Sequence, residues 1–525
     1  MIPVADAALQ YLQRRGIDTV FGIPGIHTLE LYRGLARSRL RHVLARHETG
    51  ACFMADGFAR VSGRPAVVLV ITGPGLTNAA TGIGQAYSDS IPMLVLTTVR
   101  DRCDLGHERG RLHEIRDQRR MIEPLTALSR TVWSADEVQN VLQAAFEAML
   151  GGRPRPAVIE FPLDVLRELT LEVEDFAERI PPQPTQSTFS RAVELIDAAR
   201  SVVVVSGGGA ARASESVFAF VEKVGATLVT TVNGRGVIPE SHPQSLGTTL
   251  RLSGTKRLLA HADLVVAVGT ELAETDSWSS EIAIGGQLIR IDIDRDTLQR
   301  NRHADVALLG DAGTILCRLT EQVRPRRFKP ESLGHAREEN RQAWTPMQLR
   351  HRRVLEGLRG ALARDSIIAV DSTEIGYSAN LHAWIDKPCS YLHGNGFGSL
   401  GYALPAAIGG KLAAPERDAL AIVGDGGIQF TLQELATAVS EKLPIPILIW
   451  DNDGFGAIAE AMRVEGIPEI GVRLRNPDFV ALARAYGCAA CVPGSIDEIA
   501  EALRMAFRRD HPTVIHLRED AAFLA

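Results

Sequence analysis

The chain has 525 residues, 45% apolar and 23% charged, a globular balance that excludes a disordered or collagen-like protein and implies about two to four domains. Its formal charge of −6 supplies no basic footprint, so nucleic acid is not an expected partner. Its two strongly apolar runs, PAVVLVI from Pro65 and IPILIW from Ile445, are too short to cross a bilayer, so no membrane association is expected either.

The N-terminal stretch MIPVADAALQYLQRRG reads as an amphipathic start without the charged-then-apolar pattern of a secretory signal, and the expected location is the cytoplasm. Beyond it, short β-rich runs alternate with amphipathic helical stretches, the pattern of parallel sheets covered by helices. Two stretches break the rhythm: ERIPPQPTQSTFS (178–190), rich in Pro, Ser and Thr, and RPRRFKPESLGHAREENRQAW (324–344), charged and poor in apolar residues. Both read as exposed linkers. They divide the chain into segments near 1–175, 190–325 and 345–525, each long enough for an independent α/β domain. In the middle segment SVVVVSGGGAA is a strand running into a glycine-rich turn. Gly207, Gly208 and Gly209 are read as permitting a tight turn or close helix–sheet packing in preference to a nucleotide site. Of the six cysteines, Cys488 and Cys491 alone have a suggestive spacing, CAAC. No second ligand pair or helix start accompanies them, and the stretch reads as a short buried strand.

The third segment carries the strongest local signal. ALAIV is a buried strand ending in the turn GDGG (Gly424, Asp425, Gly426, Gly427). TLQELATAVSEK has helical spacing, with Leu432, Leu435, Ala436 and Val439 on one face, and IPILIW is a strand ending in DNDGFG. A right-handed strand–helix–strand crossover brings both turns to one sheet edge, the edge where open α/β sheets bind ligands. Asp425 and Asn452 can therefore converge. A carboxylate, an amide oxygen and an exposed carbonyl suit Mg²⁺, which takes its remaining oxygens from phosphates and water. The glycines leave backbone N–H groups free to approach a phosphate. Two unrelated polar turns would be the plainer explanation, but the crossover spacing favours a metal–diphosphate anchor.

GDG followed one crossover later by DN resembles the signature of thiamine-diphosphate-dependent enzymes. FGIPG (21–25), RHETGACFMADGFAR (46–60), TGPGLTNAATGIGQAYSDSIPML (72–94) and GFGSLGYALPAAIG (396–409) are each similar to a segment of the acetolactate synthase and 2-oxo acid decarboxylase branch. The resemblance implies three doubly wound parallel-sheet α/β domains: pyrimidine-binding, central and diphosphate-binding. The cofactor would lie between the first domain of one subunit and the third of its partner, making a homodimer the minimum and a homotetramer the expectation. The Mg²⁺ ligands implied are Asp425, Asn452 and the Gly454 carbonyl, with Asp451 standing where the family has a second asparagine. Glu48 would be the carboxyl that drives pyrimidine tautomerisation, a role that requires proton exchange; the simpler reading is an acid favoured by a helix dipole. Leu400 would bend the cofactor, Gly398 would offer a carbonyl to its amine, and Pro24 and Gly25 would line the ring. Ser372, Thr373 and Glu374 would wrap the diphosphate.

Departures narrow the reaction. Ala457 and Ala461 replace the methionine and tryptophan of the synthase acceptor site, and LTALSRTVW has no lysine. GTELAETDSW matches the flavin segment poorly, so FAD is not expected. Ile71 stands where benzoylformate decarboxylases have a histidine. His113, in LHEIRDQ, is either a proton donor to the product carbon or an ordinary surface histidine; His27 lies at the mouth of the same inferred pocket. FGIPGIHTLELYRGL with LHEIRDQ most resembles the branch that converts 5-guanidino-2-oxopentanoate to 4-guanidinobutanal and CO₂, a step of arginine catabolism. A guanidinium tail needs a carboxylate partner, and Glu30, Glu114, Asp117, Asp453 and Glu460 are the candidates. A carboligase of the acetolactate synthase type and a non-catalytic homologue remain the alternatives.

Overall fold

The computed structural model describes residues 1–174 and 181–524. Residue 175, which ends the predicted first domain, residues 178–180 of the predicted first linker, and residue 525 lie outside them. The strands are β1 (Ile2–Pro3), β2 (Thr19–Gly22), β3 (Arg41–Leu44), β4 (Ala66–Leu69), β5 (Met93–Val99), β6 (Leu128–Thr131), β7 (Ala157–Pro162) and β8 (Leu169–Thr170) in the first third. The middle third has β9 (Val202–Ser206), β10 (Thr227–Thr230), β11 (Leu264–Val268), β12 (Gln287–Asp292) and β13 (Val306–Leu309). The last third has β14 (Ile367–Val370), β15 (Tyr391–His393), β16 (Ala419–Gly424), β17 (Pro446–Asp451), β18 (Ala489–Cys491) and β19 (Thr513–Arg518).

Three parallel sheets result, ordered β3-β2-β4-β5-β7-β6, β10-β9-β11-β12-β13 and β15-β14-β16-β17-β19-β18, with β1 and β8 forming a small antiparallel pair. The outer sheets share one winding, and each reverses direction beside its first strand, so the loops after β2 and β4, and after β14 and β16, open at topological switch points. Strands such as AVVL, VVVVS and ALAIVG are buried along their whole length, as helices on both faces require. Among the described residues no helix is long and apolar enough to cross a membrane.

The first and third domains are not separately cored as the segmentation implied. The helix Glu48–Ser62 is buried almost all round and packs on Ala403–Ala413, where a side chain on Gly57 or Gly409 would strike the carbonyls of Ala406 or Met54. Phe53, Met54, Val68, Ala407 and Ile449 belong to one continuous core. All three domains meet at Arg60: it pairs with Asp56 (2.6 Å) and Asp89 (2.8 Å) and donates to Asn233 Oδ1 (2.9 Å), while Tyr402 O–H donates to Asp56 (2.5 Å).

Both predicted linkers need correction. From Gln186 the first is helical to Ala198, capped by Thr185 and anchored by buried Phe189, Ala192 and Ile196. The second contains the helix Pro330–Gln342, whose Leu333, Ala336 and Asn340 are buried at spacings of one helical turn. Asn340 Nδ2 donates to Thr255 Oγ1 (2.9 Å), and a side chain on Gly254 would strike the Ala336 carbonyl. That narrow stripe is hidden among charged neighbours. In the middle domain, side chains on Gly207 and Gly209 would collide with Gly269, which supports the packing reading of that turn. The turn also borders a 430 Å³ cavity at the junction of the domains.

Candidate active site

β16 delivers Asp425 and β17 delivers Asn452 to the same sheet edge. Asp425–Ile428 is a single helical turn, not the plain turn expected, and the knots touch: Gly454 N–H donates to Asp425 Oδ2 at 2.9 Å. Burial raises the Asp425 carboxyl; the Asn476 hydrogen bond opposes this and the Asp451 charge adds to it. Asn452 Nδ2 donates to Glu374 Oε2 at 2.5 Å. Because a carboxylate can only accept, that bond fixes the amide's orientation and turns Oδ1 away. Asn452 Oδ1 is buried and has no hydrogen-bond partner among the described residues. An orphaned amide oxygen on a turn hydrogen-bonded to the Asp425 carboxylate fits a hard cation. No cluster of three His, Cys, Asp or Glu side chains suited to a metal occurs among the described residues, so CAAC gains no partners, and the knots provide a mixed set of oxygen donors instead.

Asp451, where the family has asparagine, is compensated. Its carboxyl is pushed up by burial but pulled lower overall by His516 (2.8 Å), the Asp453 N–H and Arg518 (3.7 Å). Asn476, which the sequence reading missed, donates to both Asp425 Oδ2 (2.6 Å) and Asp451 Oδ1 (2.9 Å). Also missed was Asp371 at the end of β14. It accepts from Gly401 N–H (2.9 Å) and Ser372 N–H (3.0 Å), and burial lifts it to about 6. Thr373 lies against Gly424. Glu374 is spent on Asn452, its carboxyl raised by burial and by the Glu519 charge. The loop carrying Gly398 (φ +70°) and half-buried Leu400 is tied to this edge by Gly401, whose carbonyl accepts from Thr431 Oγ1 at 2.7 Å.

Glu48 occupies the first turn of its helix, 9% exposed, and its Oε2 accepts from Asn78 Nδ2 at 3.0 Å. The start of the helix is held by Glu434, which accepts from the N–H groups of Arg46 (3.1 Å) and His47 (3.0 Å) and from Thr437 Oγ1 (2.6 Å). Burial raises the Glu434 carboxyl, and a side chain on Gly50 would run into it. The buried face of TLQELATAVSEK is Glu434, Leu435, Thr437 and Ala438, not the purely apolar stripe expected. The acid on that face was the available signal.

At the first domain's switch point, exposed Pro24 and half-buried Gly25 follow β2, and a side chain on Gly25 would strike Ile71. His113, in left-handed backbone (φ +63°), covers Gly73, and its ring lies 5.2 Å from that of His27. The five acids considered for a guanidinium are already engaged. Glu30 meets Arg33 (2.9 Å) and Arg167 (3.6 Å); Glu114 accepts from Arg109 and Arg111 N–H; Asp117 caps the helix Gln118–Ile122; Asp453 meets Arg518 (2.9 Å); Glu460 meets Arg463.

Three family models match the chain: the thiamine pyrophosphate enzyme N-terminal TPP binding domain over residues 2–121, the central domain over 189–319, and the C-terminal TPP binding domain over 371–517. The chain is 43% identical to a probable 2-ketoarginine decarboxylase (AruI) of Pseudomonas aeruginosa, covering 99% of this chain and 95% of that protein. It is 32% identical to the acetolactate synthase large subunit IlvB1 of Mycobacterium tuberculosis, covering 97% and 87%. Against the acetolactate synthase isozyme 3 large subunit of Escherichia coli the identity is 31%, covering 93% and 89%.

Proposed function

The chain belongs to the thiamine pyrophosphate enzyme family, and from that premise we propose that it decarboxylates 5-guanidino-2-oxopentanoate (2-ketoarginine) to 4-guanidinobutanal and CO₂, using thiamine diphosphate and Mg²⁺. The observation that carries the substrate is the 43% identity along essentially the whole chain to the probable 2-ketoarginine decarboxylase. The orphaned Asn452 oxygen, on the turn whose Gly454 N–H bonds Asp425, supports the cofactor.

When bound, thiamine diphosphate supplies the electron sink that lets a 2-oxo acid lose CO₂. The chain's residues do the rest. Asp425, Asn452 and the Gly454 carbonyl would hold Mg²⁺, with Glu374 fixing the Asn452 amide. Gly424, Gly426, Gly427, Ser372 and Thr373 surround the diphosphate. Pro24, Gly25, Gly398 and Leu400 position the pyrimidine. Glu48, steadied by Asn78, would hold the proton that the pyrimidine ring needs, and His113 would be the donor toward the product carbon. The working unit is a cytoplasmic homodimer or homotetramer of domains near 1–175, 190–325 and 345–525, without flavin.

Acetolactate synthesis is the second reading, favoured by relatives at 31–32% identity. A panel of 2-oxo acids assayed for CO₂ release and product decides between them. Preference for the guanidino acid with aldehyde as product supports the proposal. Preference for pyruvate with acetolactate as product would replace it.

A further inference from the structure

We propose that Arg100 and His27 form the receiving site for the carboxylate of the 2-oxo acid, an inference that rests on the decarboxylase reading. Arg100 is the first residue beyond β5, and His27 lies in the short turn Ile26–Thr28 beyond β2, so both stand at the first domain's switch-point edge. His27 is 6% exposed, and Arg100 Nη1 lies 3.2 Å from His27 Nε2.

The chemistry of that contact fixes the protons. A guanidinium has donors only, so His27 Nε2 must accept, and the ring's single proton must sit on Nδ1. Burial, and after it the charges of Arg100 and His113, disfavours the imidazolium, against the opposing pull of Asp101. His27 Nδ1–H and Arg100 Nε–H are therefore both donors. Both are buried, and neither has an acceptor among the described residues. His113 Nδ1 is also buried and unpartnered there, with its ring 5.2 Å from that of His27. Buried donors rarely go unpaired in a finished structure, and such a pair calls for an incoming acceptor.

The unpaired donors and the Arg100 guanidinium select the kind of acceptor. Asp104 is buried and gathers Arg109 (2.9 Å), Arg111 (3.2 Å) and Arg100 (3.8 Å). Asp104 is met at closer range by Arg109 and Arg111, whose N–H groups also hold Glu114, so Arg100 is the guanidinium left least neutralised. An oxygen-bearing anion fits; a guanidinium does not. For a substrate with a carboxylate at one end and a guanidinium at the other, only one orientation remains: carboxylate toward Arg100 and His27, tail away. Since the same carboxylate departs as CO₂, the contact belongs to the bound ground state and should govern KM more than kcat.

The test is Arg100→Gln in the holoenzyme, with CO₂ release measured for 5-guanidino-2-oxopentanoate and for an uncharged-tail 2-oxo acid of similar length. KM should rise about 10- to 100-fold for both, the scale of a lost charge-assisted hydrogen bond. kcat should stay within a few-fold, and thiamine diphosphate affinity should not move. The methyl ester of the guanidino acid, lacking the charge, should compete equally well against wild type and variant. Arg100→Lys, which keeps the charge but loses Nε–H, should fall between. Should Arg100→Gln not fold, His27→Phe removes the other donor while filling its space and must raise KM in the same direction. A KM unmoved in a folded variant, or raised for the guanidino acid alone, overturns the inference. Absence of turnover of any 2-oxo acid by wild type removes the decarboxylase reading and this inference together, whereas turnover with an unmoved KM removes this inference only.

Discussion

Replacing Asp425 with Asn should separate two tasks of one carboxylate. Asp425 Oδ2 accepts from Gly454 N–H at 2.9 Å and Asn476 Nδ2 at 2.6 Å. Burial nevertheless holds its carboxyl above the ordinary 3.8, helped by Asp451 and opposed by the Asn476 hydrogen bond. A group that binds its proton more tightly folded than unfolded costs stability as pH rises from the unfolded value to the folded one, and the cost persists above it. Asparagine keeps an acceptor for Gly454 and sheds that cost, so the cofactor-free variant should melt at or above the wild-type temperature. With Mg²⁺ and thiamine diphosphate the sign reverses. Loss of a charged ligand contact is worth about 1.5–3 kcal/mol, about one to two decades in affinity. At a cofactor concentration 100 times Kd the wild type gains about 2.7 kcal/mol of stability. After a hundredfold loss of affinity the same concentration yields about 0.4 kcal/mol. Thermal melts across a cofactor titration, with and without a chelator, read both effects. Equal cofactor-induced stabilisation of variant and wild type would refute the metal assignment.

Glu48→Gln fills the same space and can still accept from Asn78, but it cannot exchange a proton; cofactor should bind while C2–H exchange, followed by NMR, slows by at least about 10²-fold. Exchange at the wild-type rate would assign that work elsewhere. Arg60→Ala strands the buried Asp56 and Asp89 carboxylates at the three-domain junction and should cost about 3–5 kcal/mol in denaturant unfolding; a loss under about 1 kcal/mol would show the junction to be relaxed. His351 and His382 are held neutral, burial first and nearby arginines second, with pKa values near about 4 against an ordinary 6.5. The unfolded chain binds more protons between those values, so stability should fall as pH drops from 6.5 toward 4, with a slope of up to about 2.7 kcal/mol per pH unit for the two together. His382→Gln should reduce that slope, and an unchanged slope would remove His382 from the account.

What could be read from the sequence was whatever local periodicity and chain order encode. Strands such as AVVL and ALAIVG announce themselves because burial on both faces demands unbroken apolar runs. Asp425 and Asn452 could be brought together because right-handed crossovers fix which sheet edge they reach. The helix Pro330–Gln342 stayed hidden because its buried side is only Leu333, Ala336 and Asn340, too narrow a stripe to outweigh its charged majority. The shared core of the first and third domains was illegible for a different reason: helix Glu48–Ser62 reads as apolar, but nothing local says that its partner is Ala403–Ala413. The same limit governs the site. Asn78, Glu434 and Asn476 act through hydrogen bonds to residues distant in the chain, and a polar side chain satisfied at long range looks locally like a surface residue. Glu434 is the instructive case. An acid on the inward face of a helix is a local inconsistency, and such inconsistencies mark places where the fold is constrained by something beyond packing. Here the constraint is the start of the helix that carries Glu48, so the C-terminal domain of a chain also fixes the position of that chain's Glu48. A change at Glu434 should therefore reach the chemistry through Glu48 without touching substrate.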